Sequence, residues 1–176
     1  MGDQQRFSAE TRVDAHQFLL SDFPVSFDEP PVPANRFFSV LPGKMIVYVG
    51  ASSGAVTVTV EPRYNPPEAV ELDEWEEVAE ADVDVPNGQL GVRAIMAESP
   101  DLPLLSAHGP GLYRARVHAR GRDIAFDVVA FEAVEDYLLQ VWPSTTGGEE
   151  HVFKASDARG HRLRQQGFAV GDDHFG

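Results

Sequence analysis

The sequence predicts an all-β chain, a single β-sandwich of mostly antiparallel strands joined by Pro/Gly-rich loops. Thirteen prolines and fifteen glycines interrupt the 176 residues at short intervals. Between them lie runs of about five to nine residues in which apolar and polar side chains alternate, the pattern of half-buried strands. The length suits one domain, since most domains run roughly 100–200 residues. Apolar residues make up 43% and charged residues 24%, which fits a packed globular chain.

Taken in order, residues 11–20 read as a first strand, with Val13, Ala15, Gln17 and Leu19 on one face. Residues 22–35 hold four prolines and read as a loop. Residues 36–41 form a short strand, and Pro42-Gly43 a turn. The apolar run 45–49 reads as a central strand. Val56, Val58 and Val60 alternate with Thr57 and Thr59, and these two runs read as a hairpin. In residues 71–85 the first half is ambiguous between helix and strand, and the second half alternates as a strand. Asn87-Gly88 is the strongest hairpin signal, with residues 90–96 returning.

Residues 112–120 alternate most strictly. Tyr113, Ala115, Val117 and Ala119 form the inward face, and Arg114, Arg116, His118 and Arg120 the outward one. In the irregular stretch 125–134, Phe126, Val128 and Phe131 are candidate core residues. Residues 136–142 read as the final strand. The periodic domain therefore spans residues 8–143, and 144–176 is expected to be a polar, partly mobile C-terminal tail in which Val152, Phe153, Leu163 and Phe168 could dock.

Composition narrows the function. Cysteine is absent, which excludes disulfides, thiolate metal sites and cysteine nucleophiles. The net charge of −14 opposes direct binding of nucleic acid or anionic lipid and leaves room for a basic protein partner. No apolar run approaches the roughly 20 residues of a membrane helix, and no leader pattern opens the chain, so a cytoplasmic location is expected. The six histidines have no i, i+2 or i, i+4 spacing, so no metal clasp and no cofactor is expected. Phosphate loops, dinucleotide fingerprints and nucleophile elbows are also missing. Glu132, Glu135 and Asp136 could pair as glycosidase carboxylates do, but an acidic chain offers many such pairs. Trp75 and Trp142 sit beside strand patterns, where a core role is the default.

The sharpest feature is a window of nine carboxylates from Glu68 to Asp84, with no base between Arg63 and Arg93. One reading makes it a partner-binding face, carried by Asp73, Glu74, Glu76, Glu77, Glu80, Asp82 and Asp84. It would present carboxylates where a nucleic acid presents phosphates, and so dock a basic cleft. The other reading makes it a charged strand that guards a sheet edge or pairs with the basic strip of residues 114–120.

Two places resemble the competence J family, inhibitors of a DNA-entry nuclease. Asp14-Ala15-His16-Gln17-Phe18 resembles the family's first-strand motif. Asn87-Gly88, then Ile95-Met96, then Gly109-Pro110-Gly111-Leu112-Tyr113-Arg114 resemble its turn, strand end and Gly-led strand. The resemblance implies a small non-enzymatic protein that binds and silences a nuclease or other toxin. The rival expectation is an enzyme or small-ligand binder with a pocket at one end of the sandwich.

Overall fold

The computed structural model describes residues 5–24, 37–145 and 147–158. Among these residues it is all-β, with eleven strands in one hydrogen-bonded sheet. The polar run after residue 158 and most of the proline-rich loop lie outside the described residues.

Strand β1 (Phe7–Asp14) and β2 (Gln17–Asp22) divide the stretch that alternation presents as one strand. Asp14 sits opposite Gln17, and the two residues between them, Ala15 and His16, have φ of 53° and 62°. A two-residue hairpin loop needs left-handed residues, which usually means Asn-Gly. Here tertiary contacts hold Ala-His in that shape. The His16 N–H donates to the Ser52 carbonyl at 3.1 Å, and its carbonyl accepts the Val49 N–H at 2.8 Å.

Strands β3 (Phe38–Leu41) and β4 (Lys44–Tyr48) form a hairpin at Pro42-Gly43, and β4 also pairs with β2. Strand β5 (Ser53–Pro62) runs antiparallel to β1 along its full length. The expected hairpin between residues 45–49 and 56–60 therefore does not form. The β1–β2 hairpin lies between the two runs, so β4 is next to the sheet's end rather than central.

Strand β6 (Glu77–Val85) and β7 (Leu90–Arg93) are separated by Asn87-Gly88, yet they do not pair. Strand β7 instead lies against β2. The Asp22 carboxylate captures the turn, accepting the Asn87 and Gln89 N–H groups at 2.8 and 2.7 Å. A turn signal fixes the local bend, and Asp22 decides where the exiting strand goes. Met96, expected in the returning strand, is 76% exposed.

Strand β8 (Gly111–Arg120) pairs with β6 on one side. On its other side lies β10 (Asp136–Pro143), which also runs parallel to β5. Tyr113, Ala115, Val117 and Ala119 are buried, as alternation predicts. The short β9 (Val129–Ala130) pairs with the start of β5. Strand β11 (His151–Ala155) adds to the free side of β6, so the sheet continues past Pro143.

The strand order is β11-β6-β8-β10-β5-β1-β2-β4-β3. The sheet curls, and β3 and β4 meet β6 across the interior. One sheet thus supplies both walls of the core. Val56, Val58 and Val60 of β5, Tyr137, Leu139 and Val141 of β10, and Phe18 and Leu20 of β2 fill it. Phe18 meets Tyr137 edge-on at 5.3 Å between ring centroids. No helix among the described residues is long and apolar enough to cross a membrane.

Candidate partner-binding surface

The β6–β8 register determines what the acidic window can do. It sets Glu80 opposite Arg116 and Asp82 opposite Arg114. The Arg114 guanidinium donates to Glu80 at 2.8 Å and to Asp82 at 2.9 Å, and Arg116 Nε donates to the other Glu80 oxygen at 2.7 Å. Burial alone would lower the Arg114 pKa. Its hydrogen bonds to Glu80 and Asp82 outweigh that and hold it above the ordinary guanidinium value. Asp82 also accepts the Gly148 N–H at 2.7 Å, tying the approach to β11. Glu77 is buried and accepts the Asp157 N–H at 3.1 Å. Three of the seven expected partner-facing residues, Glu77, Glu80 and Asp82, are therefore engaged inside the sheet.

The other four differ. Asp73, Glu74, Glu76 and Asp84 are exposed. Glu74 lies 3.7 Å from Arg120 with 81% of its side chain open to solvent. Glu76 accepts the Gly121 N–H at 2.9 Å. Asp73, Glu74 and Glu76 precede β6, beside the end of β8. Asp84 lies at the other end of β6, about 25 Å away at the rise of an extended chain.

The basic strip is not a solvated face. Arg116 and His118 are buried, and Arg116 sits between the Trp142 and Phe153 rings at 5.1 and 5.0 Å. A second apolar cluster of Trp75, Val78 and Leu138, with Val70, Leu72 and Phe153 against it, covers this side of the sheet. From Arg116 the polar row continues in register through Gln140 to Glu61. Gln140 donates to Glu61 at 3.1 Å, and Arg6 and Arg63 each reach Glu61 at 2.6 Å. Sequence reading missed Glu61, although it shares the outward face of β5 with Thr57 and Thr59.

His118 Nδ1 donates to the Leu138 carbonyl at 3.0 Å, which places its proton there and leaves Nε2 bare near Trp75. Burial, partly opposed by that hydrogen bond, pushes its pKa down to about 4. His118 is therefore neutral at pH 7.

The remaining candidates resolve by position. Glu135 is buried, and its carboxylate accepts the Gly50 and Ala51 N–H groups and the Tyr137 hydroxyl. Asp136 pairs with Arg120, and Glu132 is exposed, so the three do not form a carboxylate pair. Trp75 and Trp142 are both buried. A groove of about 800 Å³ opens between Tyr64, His108, Arg114 and Trp142, with Tyr64 packed edge-on against His108. No group of three His, Asp or Glu among the described residues could hold a metal.

These features define a curled all-β scaffold with three exposed carboxylates of the acidic window just before β6 and a fourth, Asp84, at its far end. The same fold occurs in ComJ from Bacillus subtilis, described as an inhibitor of the DNA-degrading activity of NucA. The TM-score is 0.55 at 11% identity, covering 81% of this chain and all of that one. It also occurs in the crocagin biosynthetic gene J product, with a TM-score of 0.54 at 15% identity, covering 82% of this chain and all of that one. No family model and no curated protein matches the sequence.

Proposed function

We propose that this chain is a non-enzymatic inhibitor that binds a nuclease or similar basic toxin in the cytoplasm and blocks its cleft. The observation that carries this reading is the fold likeness to ComJ, which spans the whole of that inhibitor. The charge pattern supports it. Asp73, Glu74 and Glu76 form the partner-facing group, because they stay open to solvent while Glu77, Glu80 and Asp82 hold the sheet. Clustered carboxylates steer a basic partner and raise the association rate. The net charge of −14 keeps the protein itself off DNA.

The test is DNA cleavage by NucA in the presence of the purified chain. Inhibition that titrates with the chain supports the reading, and unchanged cleavage under excess chain contradicts it. A second reading, a small-ligand binder, would use the groove at Tyr64 and His108. Under the inhibitor reading, Tyr64→Ala leaves inhibition intact.

A further inference from the structure

The loop between β8 and β10 exposes apolar side chains that the fold does not use. Phe131 is 91% exposed, Ile124 69% and Val128 54%. A soluble surface rarely presents such side chains together unless something covers them. These residues are not on a slack segment. The Asp127 N–H donates to the Gly50 carbonyl at 2.8 Å, and the Val128 carbonyl accepts the Ser52 N–H at 2.9 Å. Glu135 anchors the loop's end through the Gly50 and Ala51 N–H groups. Arg122 anchors its start through a fully buried ion pair with Asp157 at 2.9 Å. The backbones meet so closely that a Cβ on Gly50 would lie 1.9 Å from the Arg122 carbonyl oxygen. A fixed loop loses little conformational entropy when it docks.

Charge selects the occupant. Residues 123–135 contain no Lys or Arg, whereas Asp123, Asp127 and Glu132 are exposed. The loop joins the end of the sheet that carries Glu76, through the Gly121 hydrogen bond. Arg12 and Glu10 share the groove that Phe131 lines, and His16 pairs with Asp127, so the rim is mixed but acids outnumber the one arginine. An apolar centre with a predominantly acidic rim matches a socket with a basic rim. A second copy of this chain would bring acid against acid.

We infer that Ile124, Val128 and Phe131 form the docking anchor for a protein partner that presents an apolar socket flanked by Lys and Arg. The inference rests on the partner-binding reading above and extends it by supplying the contact's apolar centre.

The experiment places p-benzoylphenylalanine at position 131 of the full chain in its source cells, with the same substitution at the exposed Tyr64 as control. The protein crosslinked at position 131 is then purified, and its affinity is measured against wild type, Phe131→Ala and Phe131→Leu. The expected result is an adduct with a basic protein at position 131 but not at 64. Affinity should fall at least tenfold in Phe131→Ala and largely recover in Phe131→Leu. An adduct no stronger than at position 64, an adduct with a second copy, or an unchanged affinity of Phe131→Ala overturns the anchor. If the captured protein binds through Phe131 but is not a nuclease, the anchor stands and the inhibitor reading falls. If NucA is inhibited equally by wild type and Phe131→Ala, the inhibitor reading stands and the anchor falls.

Discussion

Two regions of the molecule handle side chains in opposite ways. On the outer face of β6, β8, β10 and β5, charged and polar groups are wholly or largely buried in a cross-strand row, from Glu80 through Arg116 and Gln140 to Glu61. In the loop of residues 121–135, large apolar groups stand in solvent. The difference lies in what covers each region. Trp142 and Phe153 flank Arg116, and ionic groups survive in the row because Arg116 has Glu80 opposite in register and Glu61 holds Arg6 and Arg63. Over the loop no second layer exists among the described residues, yet hydrogen bonds hold its backbone in place. Polarity alone does not decide burial. Pairing permits it on the covered face, and the architecture withholds it from the loop.

The comparison breaks most visibly if the row loses one charge. Arg116→Ala leaves one Glu80 oxygen without its donor while Arg114 still holds the other, and stability in urea unfolding should fall by roughly 1–3 kcal/mol. Replacing Glu80 and Arg116 together by apolar residues should cost less, because no acceptor is left unsatisfied and Arg114 keeps Asp82. A double variant as unstable as Arg116→Ala would show that packing, and not charge pairing, dominates the row.

Ending the chain at Gly148 removes Phe153 from the cover and Asp157 from Arg122. A loss of roughly 3 kcal/mol from the stranded Arg122 would lower the melting temperature by about 10 °C for a chain of this size. An unchanged melting curve would show that β11 adds nothing to the sheet.

His118 gives a pH signature. Its folded pKa of about 4 lies below the ordinary histidine value of 6.5. Between those values the unfolded chain binds more protons than the folded one, so stability rises with pH across that window. On acidification it is lost from about pH 6.5 downward, by up to about 3 kcal/mol near pH 4. Denaturant titrations should show this slope in the wild type and a smaller one in His118→Gln. Equal slopes would place the acid sensitivity elsewhere.

The smallest expected effect is at the loop. Phe131→Ala should change stability by no more than about 0.5 kcal/mol, since the ring buries almost nothing. A larger loss would mean that Phe131 is packed in solution.

How legible each region is follows from what fixes it. The inward face of β8 follows from strict alternation at Tyr113, Ala115, Val117 and Ala119. The pairing of acids with the basic strip was one of the two readings open at the sequence level, and register decides it at Glu80 and Asp82. The burial of Arg116 and His118 was not legible, because the covering residues come from distant places, Trp75 before β6 and Phe153 in β11. The split of the first strand was hidden because Ala15-His16 lacks turn residues and is held by Val49 and Ser52. Phe126, Val128 and Phe131 were expected in the core because apolar composition gives no sign that a loop stays uncovered. Of these, Phe126 is half-buried and the other two are exposed. Strand β11 has no clean alternation, since it pairs with β6 across a register shift between Val152 and Lys154.

The central claim of the proposal is that Asp73, Glu74 and Glu76 before β6 face a basic partner while Glu77, Glu80 and Asp82 within β6 hold the sheet. Its most direct test is inhibition of NucA by wild type and by the Asp73→Lys/Glu74→Lys variant, each measured at low and at moderate salt. Wild type should inhibit, and its potency should fall steeply with added salt. The variant should unfold at the wild-type temperature, inhibit at least tenfold more weakly and respond little to salt. Equal inhibition by the two proteins, with the same salt dependence, would contradict the claim.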